Sequence, residues 1–263
     1  MLKHCILSVD YSEKWEKIFE HLPGVIKLLG VERLSLTHVV ETHNRPRLED
    51  NDSAIAHHLE KIAKRLQTEL NVQVDQVIRH GFPASELAAA ARKIHADGII
   101  ALNRNHSAGR AALFGNVVLN LTRVSSVPVV VIPADAERVP DDSPLMLATD
   151  GSDSSRNAQR AFEKMLARID HGFVVWVKDA HDEGHAEERV QPVLQHFTDT
   201  YPKVESRRLS GDPAEKLVSF ASQEQVALLI IGKRGNTPIT ELMVGSTAEA
   251  VARASHCPVL LVP

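Results

Sequence analysis

The 263-residue sequence predicts an α/β fold made of two tandem doubly wound parallel sheets, five strands in each. Three observations predict it. The chain is written twice: Gly81 and Gly211, Pro83 and Pro213, Gly115 and Gly245, and Pro128 and Pro258 each stand 130 positions apart. Within each half, strand-like apolar runs alternate with helical patterns, an order that gives a parallel sheet with right-handed crossovers. Several of those runs are apolar and β-branched, as suits strands covered on both faces.

The elements follow in order. CILSVDYS, from Cys5, matches LMLATDGS, from Leu145, and pairs Asp10 with Asp150 at the ends of the two front strands. The offset there is 140, so the first half carries about ten extra residues, expected in ETHNRPRLEDND from Glu41. His57 and His58 fall in the polar part of a helical pattern and read as surface residues. HGFPASELAAAARKIHADGIIAL, from His80, parallels SGDPAEKLVSFASQEQVALLIIG, from Ser210. Each has Gly, one residue, Pro-Ala, a helix and then a strand. VPVVVIP closes the first half as CPVLLVP closes the second. The polar, Pro-containing ADAERVPDDS between them is the linker. The domains are therefore read as 1–134 and 144–263. In the second half LMLATD, FVVWVKDA, VESRRLSG, VALLIIG and PVLLVP are strands. RNAQRAFEKMLARI puts Ala158, Phe162, Met165, Leu166 and Ile169 on one helical stripe. PAEKLVSFASQ opens with Pro213, tolerated in a first turn.

Bulk properties narrow the function. Hydrophobic content of 43% and charged content of 24% are those of a globular protein. A net charge of -4 argues against nucleic acid as a partner. No apolar run approaches a membrane span, and MLKHCILSVDYSEK is too briefly apolar for a signal peptide. The only two cysteines, Cys5 and Cys257, lie in or beside apolar runs and read as buried thiols of a reducing, cytoplasmic compartment.

The stretch GKRGNTPITELMVGST, from Gly232 to Thr247, asks for a ligand. With the strand order 3-2-1-4-5, Asp150 and Gly232 end the two strands that flank the reversal of the sheet, where ligands bind in such folds. The loop then runs into a helix start. Ser246-Thr247-Ala248-Glu249 fits a capping box, with Ser246 as cap and Glu249 reaching back. A helix N-terminus offers free N–H groups and partial positive charge. Glycine permits positive φ and lets a phosphate approach without meeting a Cβ. Lys233 and Arg234 add charge nearby.

Gly232, two residues, Gly235, nine residues and Gly245-Ser246 resemble the G-x2-G-x9-G-S/T pattern of the ATP-binding branch of the universal stress protein family. The resemblance covers nearly the whole chain, as two tandem domains. It implies that Gly232, Gly235, Gly245, Ser246 and Thr247 line the ribose and phosphates. Ala148, Thr149 and Asp150 would border the adenosine end, and Val177 would meet the adenine. Ala248 departs from relatives that carry a hydroxyl there, with Thr247 adjacent. The first half departs further: Leu102 and Asn105 stand for the first two glycines, and Gly115 is followed by Asn116. One adenine nucleotide per chain is therefore expected, ATP, ADP or AMP, in the second half, with Mg2+ accompanying a triphosphate. The resemblance also implies that the halves pair through PVVVIP and PVLLVP as an intrachain pseudo-dimer; a homodimer of chains stays open.

Other readings stand beside this one. Asp150 has a second role open to it, helping Ser152 and Asp153 cap the next helix. His181 and His185 have metal-gripping i,i+4 spacing, but Gly184 interrupts it. Trp15 and Trp176 read as packing residues. No P-loop lysine pattern or nucleophile–base–acid triad is present, so a nucleotide-binding stress or signalling module is favoured over an enzyme; slow ATP hydrolysis or autophosphorylation is the most catalysis expected. TDGSDSS partly resembles the pyrophosphate loop of adenylating ATP pyrophosphatases, but Thr149 and Asp150 depart from it. A non-binding scaffold is the remaining alternative.

Overall fold

The computed structural model describes residues 2–10, 18–41, 52–103, 117–134, 136, 140–179, 185–235 and 244–263. Residues 42–51 of the extra segment of the first half, Asn105, Gly115, Asn116, Trp15, His181, Gly184 and most of the glycine loop lie outside the described residues. Two compact units divide between Val130 and Val131.

The first unit runs β1 (His4–Val9), α1 (Ile18–Leu29), β2 (Arg33–Val40), α2 (Asp52–Leu70), β3 (Gln73–His80), α3 (Pro83–Lys93), β4 (Gly98–Asn103), α4 (Val117–Val124) and β5 (Val129–Pro133), whose strand crosses the division. The strand order is β3-β2-β1-β4-β5, with β1 parallel to both β2 and β4. The second unit runs β6 (Leu145–Ala148), α5 (Arg156–Leu166), β7 (Gly172–Lys178), α6 (His185–Thr200), β8 (Val204–Ser210), α7 (Pro213–Gln223), β9 (Leu228–Gly232), α8 (Ser246–Ala254) and β10 (Val259–Val262). Its order is β10-β9-β6-β7-β8, again parallel. Numbered within its own half, each sheet is 3-2-1-4-5, as the sequence predicts.

The repeat persists in the backbone. Gly81 and Gly211 share a positive φ, 143° and 124°, at the turn into α3 and α7, and His95 and Gln225 share a left-handed φ after those helices. Four of the five residues of the α5 stripe, Ala158, Phe162, Met165 and Leu166, are buried; Ile169 lies past the end of the helix and is only half-buried. Phe162 meets Phe197 of α6 edge-to-face at 5.3 Å, which ties the two helices together. The strands between the helix layers are apolar on both faces: Leu145, Met146, Leu147, Leu228, Leu229 and Ile230 are all fully buried. His57 and His58 are exposed on α2. Cys5 and Cys257 are buried free thiols; burial raises both, Cys5 to about 12.

Parallel pairing brings the site together. β6 lies between β7 and β9, with Ala148 in register with Val175 on one side and Ile231 on the other. The chain leaves β6 toward β7 and leaves β9 toward β10, so a cleft opens where the ends of β6 and β9 part.

Candidate functional site

A cavity of about 900 Å³ occupies that cleft. Its floor is the carboxyl end of β6 and of its two neighbours: Ala148, Thr149 and Asp150, Val177 from β7, and Gly232 from β9. Arg234, Gly235, Gly245, Ser246 and Thr247 form the wall on the β9 side. Ten of the eleven residues singled out in the sequence thus line one cavity. Lys233 is the exception.

The floor is held by a polar network. Thr149 N donates to Val175 O at 3.1 Å, continuing the β6–β7 ladder. Ser152 N and Oγ donate to Asp150 Oδ1 at 3.0 and 2.5 Å, so this carboxylate closes the turn after β6 rather than capping the helix beyond it. Ser152 Oγ and Ser154 Oγ are 2.9 Å apart, and Ser154 Oγ lies 2.8 Å from Gly235 O. This run of contacts links the Asp150 turn to the glycine loop across the cleft. Behind it, Ser155 Oγ donates to Ser152 O at 2.7 Å and Gln159 Nε2 donates to Ser155 Oγ at 3.0 Å.

The glycine loop is clasped at both ends. Lys233 N donates to Val262 O on β10, and Gly245 N donates to Lys233 O at 2.9 Å. None of the three glycines serves a left-handed backbone: among the described glycines, positive φ occurs only at Gly30, Gly81, Gly151 and Gly211. A Cβ on Gly232 would come within 3.0 Å of Arg234 O, and one on Gly235 within 2.9 Å of Asp150 Oδ2. Gly245 differs. Its φ of -60° and ψ of 142° suit any residue, and among the described residues a Cβ there would meet nothing closer than 3.7 Å.

The expected capping box does not form. Gly245 is the N-cap and has no side chain to give, while Ser246 is already the first helical residue. Glu249 Oε1 accepts instead from Arg253 Nη2 at 3.1 Å, one turn along α8. The sequence letters fit the box, but the extended residue is one position earlier. The first N–H groups of α8 therefore face the cavity wall without a capping side chain from Gly245.

Lys233 is 4% exposed and does not line the cavity. Burial, helped by the Arg234 charge, lowers its ammonium from 10.5 to about 8. It is a buried base beside the site, not the solvated loop charge its neighbours in sequence suggest.

Trp176, Asp179 and Arg189 are among the lining residues that the sequence reading did not assign to the site. Trp176 packs as expected, 4% exposed, yet also lines the cavity. Asp179 follows the end of β7, and Arg189 reaches the cavity from α6. Nothing in the α6 pattern marks Arg189. Its one trace in the sequence is Gly151, whose φ of 71° and close contact with α6 require glycine: a Cβ would sit 2.6 Å from Arg189 O. In the first unit Asp10 follows β1 and Leu102 is buried in β4 at 6% exposure. His185 begins α6, 3.6 Å from Glu188. Among the described residues, no three His, Cys, Asp or Glu side chains cluster to hold a metal, and no helix is long and apolar enough to cross a membrane.

Comparison with known proteins accounts for both halves. A family model described as the universal stress protein family matches residues 1–133 and again 143–263. A universal stress protein of Methanocaldococcus jannaschii is 27% identical over 136 residues, covering 45% of this chain and 80% of its own length. One from Mycolicibacterium smegmatis is 28% identical over 180 residues, 62% of this chain and 60% of that protein. Among solved structures, a universal stress protein from Archaeoglobus fulgidus superposes with a TM-score of 0.78 at 20% identity, covering 98% of this chain and 95% of that one, a likeness of fold.

Proposed function

The chain belongs to the universal stress protein family, and from that premise we propose that its second half is an adenine-nucleotide-binding module that takes one ATP, ADP or AMP per chain. Gly245 carries this reading. The backbone there would accept any residue, and a Cβ would meet nothing among the described residues closer than 3.7 Å. Nothing among the described residues requires glycine, whereas a ligand does: a side chain at that point would stand in the cavity, at the N-terminus of α8, where a phosphate would sit. Gly232 and Gly235 have structural reasons of their own and carry less of the argument.

The nucleoside would lie toward Val177 and Trp176, and the phosphates along Gly235, Gly245, Ser246 and Thr247. Bound Mg2+ would offset triphosphate charge; no carboxylate is assigned to hold it. An adenylating role is not favoured, because Asp150 fills the turn that a pyrophosphate loop would keep open. Occupancy of the site, rather than turnover, is the proposed output.

Calorimetric titration of the nucleotide-stripped protein with Mg-ATP tests this. One site per chain is expected, lost in Gly245→Val and kept in Gly115→Val. The first variant should still fold, since its Cβ has room. Two equivalent sites would defeat the one-nucleotide reading, and no binding would leave a scaffold. Pyrophosphate release with an acceptor would restore the adenylating alternative.

A further inference from the structure

We propose that Ser154 is a positioning residue of this site: its hydroxyl latches the glycine loop across the cleft, so that the loop stands in place before a phosphate arrives. The inference rests on the nucleotide reading above and concerns a residue that does not itself line the cavity.

The loop needs holding. Gly232 and Gly235 fall within four residues, and glycine has the most backbone freedom to lose on ordering. Ordering that waits for the ligand is subtracted from its affinity. One hold is the clasp at Lys233, whose N–H donates to Val262 O and whose carbonyl accepts from Gly245 N. A second lies further out. Gly235 O accepts from Ser154 Oγ at 2.8 Å, a contact between residues 81 positions apart.

The turn that carries Ser154 is fixed well enough to serve as an anchor. It is a single 3-10 turn, Asp153–Ser155, leading into α5. Ser155 N and Oγ both donate to Ser152 O, at 3.0 and 2.7 Å, and Gln159 Nε2 of α5 donates to Ser155 Oγ at 3.0 Å. The turn also packs on the end of β9. A Cβ on Gly232 would lie 3.3 Å from Ser154 O and from Ser155 Cα. Gly232 and Gly235 thus both meet the same short segment, the first by close approach and the second by a hydrogen bond.

Proton bookkeeping assigns the latch to Ser154. Ser152 Oγ donates its one proton to Asp150 Oδ1 at 2.5 Å, and Gly235 O can only accept. Of the three oxygens Ser152 Oγ, Ser154 Oγ and Gly235 O, Ser154 alone has a proton left to give, with Ser152 Oγ 2.9 Å away offering lone pairs. Without it, Gly235 O loses this donor. That oxygen carries partial negative charge and belongs to the wall along which the phosphates would run. With the bond, it is engaged by a side chain outside the cavity lining.

The test is calorimetric titration of the nucleotide-stripped full chain with Mg-ATP, in the wild type and in Ser154→Ala, Ser154→Cys and Ser154→Thr. Alanine removes the donor, cysteine keeps the size but donates weakly, and threonine keeps the hydroxyl. Ser154 is only half-buried, which favours acceptance of the extra methyl. The first two variants should bind ATP about fivefold more weakly, the worth of one ordinary hydrogen bond, and threonine should bind about as tightly as the wild type. Carbonyl-13C glycine labelling reads the bond directly: the Gly235 resonance should move in Ser154→Ala and Ser154→Cys and stay in Ser154→Thr. Should Ser154→Ala not fold, the cysteine and threonine variants decide the matter. Wild-type affinity in the variants that lack the donor, or an equal loss in all three, would overturn the inference while the nucleotide reading stands. Failure of the wild type to bind ATP overturns both.

Discussion

Gly235 and Gly245 carry the same letter for different reasons. The first leaves room for the Asp150 carboxylate; the second leaves room that no described residue uses. Lys233, between the strand and the loop, shows how little a residue's neighbours reveal of its burial. With its ammonium lowered to about 8 from 10.5, the unfolded chain holds a proton that the folded chain has shed between those two values. Stability should therefore rise as pH climbs from about 8 to about 10.5, and the full penalty of burying the charge should be present below that window. Denaturant unfolding across this range, compared with Lys233→Met, checks the sign. A difference between the two proteins that does not change with pH would mean that the ammonium is solvated.

At the scale of elements, the two halves solve one problem unequally. α3 and α7 both follow a glycine turn and both begin with proline. Their N-caps share an extended backbone, φ -84° and ψ 119° at Phe82, φ -63° and ψ 121° at Asp212. Asp212 Oδ1 accepts from Glu215 N at 2.8 Å. Phe82 makes no side-chain cap bond and is 61% exposed. Asp212→Ala should cost about 1 kcal/mol of stability, and Phe82→Asp should add about 0.5–1 kcal/mol, since its carboxylate would reach Ser85 N in the same way. Equilibrium unfolding of both variants measures this; a destabilised Phe82→Asp would show that the exposed ring has packing work that its exposure conceals.

Across the whole molecule, duplication has preserved the sheet and let the loops diverge. Binding to one half only has a measurable signature. Mg-ATP at about 100 times its Kd should stabilise the binding unit by about 2.7 kcal/mol. Hydrogen exchange should slow at 149–155, at 232–235 and in the first turn of α8, and stay unchanged at the ends of β1 and β4. Equal slowing in both halves would contradict a single site.

Much of this was legible along the chain. The 130-residue repeat, the apolar runs and the helical stripe of Ala158, Phe162, Met165 and Leu166 depend on spacing and hydrophobicity, which a sequence records directly. The glycine spacing pointed to one end of one sheet. The capping box was misread because S-T-A-E fits that motif wherever the extended residue falls, and here it falls at Gly245. What each glycine must avoid, the burial of Lys233, and the arrival of Arg189 at the cavity were decided only by tertiary structure. The sequence by itself determined which segments become strands and helices and that the chain holds two copies of one fold. The contents of the site depended on long-range parallel pairing of β6 with β7 and β9 and on how closely α6 could approach at Gly151, distances that no local pattern encodes.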